Sequence, residues 1–69
     1  MDSYYVNRKA QVNGDNEVHK NSCAFIPEKH NRLYLGYLAN CQKALAEASK
    51  TYPDTATLCR YCCPEGQKA

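Results

Sequence analysis

Tryptophan is absent, phenylalanine occurs once, methionine stands only at position 1, and glycine and proline number 3 each in a chain of 69 residues. Three scattered glycines cannot build the glycine-rich loop that cradles a phosphate, so nucleotide binding of that kind has no residues to carry it. The longest unbroken apolar run is a few residues, which leaves no candidate membrane span. Met1-Asp2-Ser3-Tyr4-Tyr5 lacks the basic stretch that opens a secretory leader, and a cytoplasmic location is expected. Charge of one sign is also lacking: nine Lys/Arg against seven Asp/Glu leave +2, and Arg8-Lys9 is the single adjacent basic pair. That scatter makes no footprint for DNA, although folding could gather Arg8, Lys9, Lys20 and Arg32 into a small patch. No Ser/His/Asp constellation and no paired carboxylates in a catalytic setting occur, so the chain is not expected to be an enzyme.

What the chain does have is cysteine, five residues of it, with two histidines. One domain of this length supplies about 3–5 kcal/mol from its core alone, so some fastening is expected. A reducing cytosol favours metal over disulfides, and an odd count forbids a complete set of internal disulfides. The spacing supports metal. Cys59-Arg60-Tyr61-Cys62 is a Cys-x2-Cys pair, which turns both sulfurs toward one point about 2.3 Å away, and His19-x3-Cys23 can do the same from a strand end. Two such clips far apart in sequence close a long loop around one ion. Three thiolates and an imidazole suit Zn²⁺, whereas Mg²⁺ and Ca²⁺ want oxygen. The candidate ligands are therefore His19, Cys23, Cys59 and Cys62, with every position filled as in a structural site.

Alternatives remain open at this level. Cys59 and Cys62 are also a candidate redox pair, although the βαβ context of thioredoxin-like chemistry is missing. Cys63 can substitute in another register or stand as a reactive surface thiol. Cys41, which begins an apolar helical stripe, reads best as a small buried hydrophobe, yet its even spacing between Cys23 and Cys59 allows it to replace His19. His30 lies in a charged loop and is expected to be exposed.

The pattern along the chain predicts a small α+β domain spanning residues 1–69, ordered from about 4 to 64. Tyr4 to Arg8 and Glu17-Val18-His19 flank the turn signal Asn13-Gly14-Asp15-Asn16, which reads as a hairpin that sets His19 at the end of its second strand. Leu33 to Leu38 reads as a third strand with Leu33, Leu35 and Tyr37 on one face and Gly36 as a point where it can bend or bulge. Asn40 is a good N-cap, and Cys41, Ala44, Leu45, Ala48 and Tyr52 then form one apolar stripe that Pro53 ends. Residues 54–58 are expected as a loop to the Cys-x2-Cys knuckle. No repeat, low-complexity segment or linker suggests a second domain.

The order of these features, Tyr4-Tyr5-Val6-Asn7, Glu17-Val18-His19-x3-Cys23, Leu35-Gly36, an Ala44/Ala48 helix and Cys59-x2-Cys62-Cys63-Pro64, resembles the Ada-type metal-binding domain. It is similar to the His-x3-Cys version found as a small module in bacterial proteins, over about residues 4 to 64. The resemblance implies one Zn²⁺ held at the positions of His19, Cys23, Cys59 and Cys62. In the DNA-repair member the first ligand position carries the methyl-accepting cysteine. Here that position is His19, whose imidazole is no equivalent nucleophile, so methyl transfer is not expected. The expected role is a non-catalytic zinc module that binds a partner protein, with nucleic acid the weaker candidate. The competing reading is reactive thiolate chemistry, as methyl acceptor or redox sensor. Tyr5, Tyr34, Tyr37 and Tyr61 are candidate contact residues, but tyrosines at strand positions more often belong to a half-buried core, and base stacking would need them interleaved with a basic groove, for which only Arg8, Arg32 and Arg60 lie near them in sequence.

Overall fold

A computed structural model describes residues 1–10, 12 and 14–64. The domain is α+β, a four-stranded sheet with one helix against one face. β1 (Asp2–Asn7) and β2 (Asn16–Lys20) form the expected antiparallel hairpin, in register Tyr4 to Lys20, Tyr5 to His19 and Val6 to Val18. Gly14 in the connection holds φ at 91°, a left-handed conformation that glycine adopts at no steric cost. Gln11 and Asn13 of that connection lie outside the described residues, as does the chain beyond Pro64, where fraying was expected.

β3 (Arg32–Leu38) follows a single 3-10 turn at Lys29–Asn31 and pairs antiparallel with β1. The helix α1 (Cys41–Thr51) begins and ends as the pattern predicts. The Asn40 side chain accepts a hydrogen bond from the Lys43 amide at 2.9 Å, and the Tyr52 amide closes the last turn on the Ala48 carbonyl before Pro53. Cys41, Ala44 and Ala48 face the sheet, and the two alanines are fully buried, so the helix lies close against β-branched neighbours.

Two features depart from the sequence reading. Residues 56–58 are not loop: they form β4 (Ala56–Leu58), parallel to β2 with Leu58 beside Val18, and the sheet order is β3-β1-β2-β4. Three residues carry too little periodicity to be seen in sequence, and the pairing is secured elsewhere. Buried Asn16 donates from Nδ2 to the Asn7 carbonyl and accepts at Oδ1 from the Thr55 hydroxyl, while its amide donates to the Thr55 carbonyl. One side chain thus joins the hairpin to the segment entering β4.

The second departure is the face of Tyr37, and its cause is a bulge in β3 of the kind that Gly36 was expected to permit. The β1 partner of Tyr34 is Tyr5, and that of Gly36 is Tyr4, so the register slips by one residue at Leu35. Gly36 sits at φ 128°, which a residue with a Cβ adopts only under strain. Tyr37 therefore does not share the face of Leu33 and Leu35. It lies opposite Ser3, on the same side as Tyr34 opposite Tyr5, while Leu33, Leu35 and Leu38 all pack on the helix side. The core comprises Tyr4, Val6, Val18 and Leu58 from the sheet with Cys41, Ala44, Ala48 and Cys63. The other face of the sheet, which carries His19, has no helix.

Candidate metal centre

His19 owes its position to strand alternation. Val18 is in the core beneath α1, so the next residue of β2 projects from the opposite face, where it is nonetheless 1% exposed because two chain segments close over it. The first is the turn after β2: the Asn21 amide donates to the Ser3 carbonyl, and the Cys23 amide donates back to the Lys20 carbonyl at 3.0 Å. The second is the C-terminal knuckle. The Cys59 amide donates to the Val18 carbonyl at 3.0 Å, continuing the β2 to β4 ladder, and the Cys63 amide donates to the Cys59 carbonyl at 2.9 Å. The tight turn expected of Cys-x2-Cys is thereby formed.

These segments bring His19, Cys23, Cys59 and Cys62 together with one ligand atom from each, all within 4.8 Å of one another. The Cys23 and Cys59 sulfurs stand 3.9 Å apart, too far for a disulfide. Two thiolates each about 2.3 Å from a tetrahedral ion stand roughly 3.8 Å apart, so the spacing fits a shared metal. The backbone amide of Lys20 donates to the Cys62 sulfur at 3.3 Å, the kind of bond that spreads the charge of a coordinated thiolate.

The electrostatics of the cluster point the same way. Both ring nitrogens of His19 are buried without a hydrogen-bond partner, and the Glu17 carboxylate is 3.7 Å from Nε2, beyond hydrogen-bonding range. Burial holds the His19 pKa below its ordinary value, which keeps the imidazole neutral with a lone pair to give. Burial, opposed by the Lys20 amide and reinforced by Cys23 and Cys59, pushes the Cys62 thiol up to about 12. A cation among the sulfurs would offset that penalty and favour the Cys62 thiolate. The residues fit a metal ion, and the donor set of one imidazole and three sulfurs suits a borderline-soft one.

The remaining cysteines are bonded to each other. Cys41 at the start of α1 and Cys63 beside the knuckle form a disulfide with a Cα–Cα distance of 5.9 Å. Both are fully buried, so Cys63 is neither a surface thiol nor a spare ligand, and Cys41 neither replaces His19 nor acts as a free hydrophobe. Elimination offered a clue: once the spacing assigns Cys23, Cys59 and Cys62, these two are left over. The physical cause is tertiary, since α1 crosses the sheet and returns its first turn to the knuckle. His30 is exposed as expected, 3.7 Å from the Glu28 carboxylate and outside the cluster.

A groove of about 400 Å³ runs beside the centre, lined by Lys20, Ser22, Cys23, Phe25, Tyr61 and Cys62. The Phe25 and Tyr61 rings meet at its rim with centroids 4.5 Å apart. Cys23 and Cys62 are the members of the cluster that line this groove, and Cys62 is the less buried of the two.

The fold and site define a small cysteine-rich α+β domain with a cluster that can hold a metal ion. Comparisons with protein-family models, with curated proteins and with solved structures found no match. No helix among the described residues is long and apolar enough to cross a membrane.

Proposed function

We propose that this chain is a non-catalytic zinc-binding module of the Ada-like kind, in which the ion holds the fold and the surface does the work by binding another macromolecule. The observation that supports this most is the closed geometry of the centre: four ligand atoms already gathered, three of the four residues buried, and no position left over for a substrate. Zinc is favoured by the donor chemistry, by its lack of redox activity and by its preference for four ligands. Ion binding would then contribute on the order of 10 kcal/mol to folding, more than so small a core supplies. Native mass spectrometry beside denaturing mass spectrometry tests the reading. The expected result is one zinc per chain, one disulfide and three free thiols. A metal-free chain that keeps its fold at equal stability overturns it.

A second reading has one observation in its favour, the groove that reaches Cys62. Through it a zinc-bound thiolate could meet an electrophile or oxidant, and the module would be a reactive one. Iodoacetamide on the zinc-loaded protein separates the two. Rapid alkylation confined to Cys62 supports reactivity, and protection of all three thiols supports a structural centre.

A further inference from the structure

We infer that the helix-free face of the sheet is a stacking platform for single-stranded nucleic acid. The inference rests on the fold and goes beyond the metal reading, since it needs the ion only to keep the sheet intact. Tyr34 and Tyr37, on the edge strand β3, are 54% and 62% exposed. An odd number of positions separates them, so in a regular strand they would point to opposite faces. The bulge at Leu35, with Gly36 at φ 128°, turns both outward on one side while Leu33, Leu35 and Leu38 still reach the core. Across the pairing, Tyr5 meets Tyr34 with ring centroids 5.2 Å apart, and the Arg32 guanidinium lies 4.7 Å from the Tyr5 centroid. The result is a row of Tyr37, Tyr34, Tyr5 and Arg32 along β1 and β3.

The fold also gathers charge that the sequence leaves scattered. Arg32 pairs with Asn7, and the Arg8 amide donates to the Asn31 carbonyl at 2.7 Å, so Arg8, exposed Lys9, Lys29 and Arg32 share the end of the sheet where the tyrosine row terminates. Asp15 and Glu28 are the acids near that end, and Glu28 faces His30 at 3.7 Å. Glu17, on the same sheet face, is turned toward His19. Aromatic faces that accept any base, with cations at one end to meet phosphates, are the two requirements for sequence-tolerant single-strand binding. A duplex hides its base faces and cannot use the tyrosines.

Fluorescence anisotropy with the zinc-loaded full chain tests this, using labelled oligothymidylate and oligouridylate of about twelve nucleotides and a duplex of the same length. The expected result is binding of the single strands over the duplex, weakening as salt rises by roughly one power of concentration per phosphate neutralised. Tyr34→Ala and Tyr37→Ala should each weaken it about tenfold, and Tyr34→Phe should preserve it. Should an alanine variant misfold, amide and ring shifts of the unmodified protein on titration locate the site, at Tyr5, Tyr34 and Tyr37 if the inference holds. No binding at low salt, equal binding of duplex, or shifts confined to the Phe25/Tyr61 groove overturns it, as does capture of a folded protein by this face with no affinity for oligonucleotides.

Discussion

Cys62 and Cys63 are neighbours in sequence, yet their sulfurs serve different parts of the molecule. The Cys62 sulfur receives the Lys20 amide and joins the cluster on the helix-free face, while Cys63 is bonded to Cys41 within the core under α1. The knuckle is thus fastened twice, to β2 by the cluster and to the helix by the disulfide. Each fastening spans a long loop.

Removing the disulfide should cost stability and spare the ion. Cys41→Ala with Cys63→Ala opens a closure across 22 positions, for which chain entropy gives about 3 kcal/mol. Denaturant unfolding of the zinc-loaded double variant should show that loss, while a chelator competition shows affinity within a few-fold of the parent. A drop in zinc affinity of a hundredfold would mean that the two fastenings are one.

Removing a ligand should act first on the ion and, through the ion, on stability. His19→Ala deletes a donor whose two nitrogens have no hydrogen bond to lose, but it also empties a buried position, so the readout is metal affinity measured beside stability. Affinity should fall by at least about a hundredfold, since the fourth bond must then come from water. Undiminished affinity would show that His19 is not a ligand.

The metal-free protein should have a characteristic pH profile on both sides. The Cys62 pKa is raised in the fold, to about 12 from 9.0, so its contribution to stability is complete below about pH 9 and is lost as pH rises toward 12. The His19 pKa is lowered from 6.5, so its contribution is present above that value and is lost as pH falls beneath it. Chelator-treated protein should therefore unfold more readily both below pH 6.5 and above pH 9. If the cluster holds zinc as proposed, adding zinc should reverse the alkaline limb, because the ion would take up the thiolates that high pH supplies.

Gly36→Ala should be costly although there is room for the methyl group. Its Cβ would stand 3.5 Å from Leu38 Cδ2, an ordinary contact, so the cost arises from φ at 128° and is expected at about 1–3 kcal/mol. Denaturation gives the magnitude. The amide shift of Tyr37 should move more than that of Tyr4, because the bulge is what turns Tyr37 outward.

Much of the centre was legible because ligand spacing is a local property. His19-x3-Cys23 and Cys59-x2-Cys62 specify turns of a few residues, and a turn of that size aims its donors without help from the rest of the chain. The helix was legible for the same reason, in the Asn40 cap, the stripe of Cys41, Ala44 and Ala48, and the stop at Pro53. The hairpin likewise follows from two β-prone runs around a glycine-containing turn.

What local pattern could not reach was decided by packing across the sheet. The pairing of Cys41 with Cys63 depends on where α1 crosses, and β4 exists because Asn16 and Thr55 hold a three-residue segment against β2. The face on which Tyr37 stands depends on a one-residue slip between β1 and β3, which inverts every side chain beyond it. Residue types and short spacings determined that this chain can hold an ion and form one capped helix. Long-range contact decided that the two cysteines left over meet, and which rings and cations share the open face.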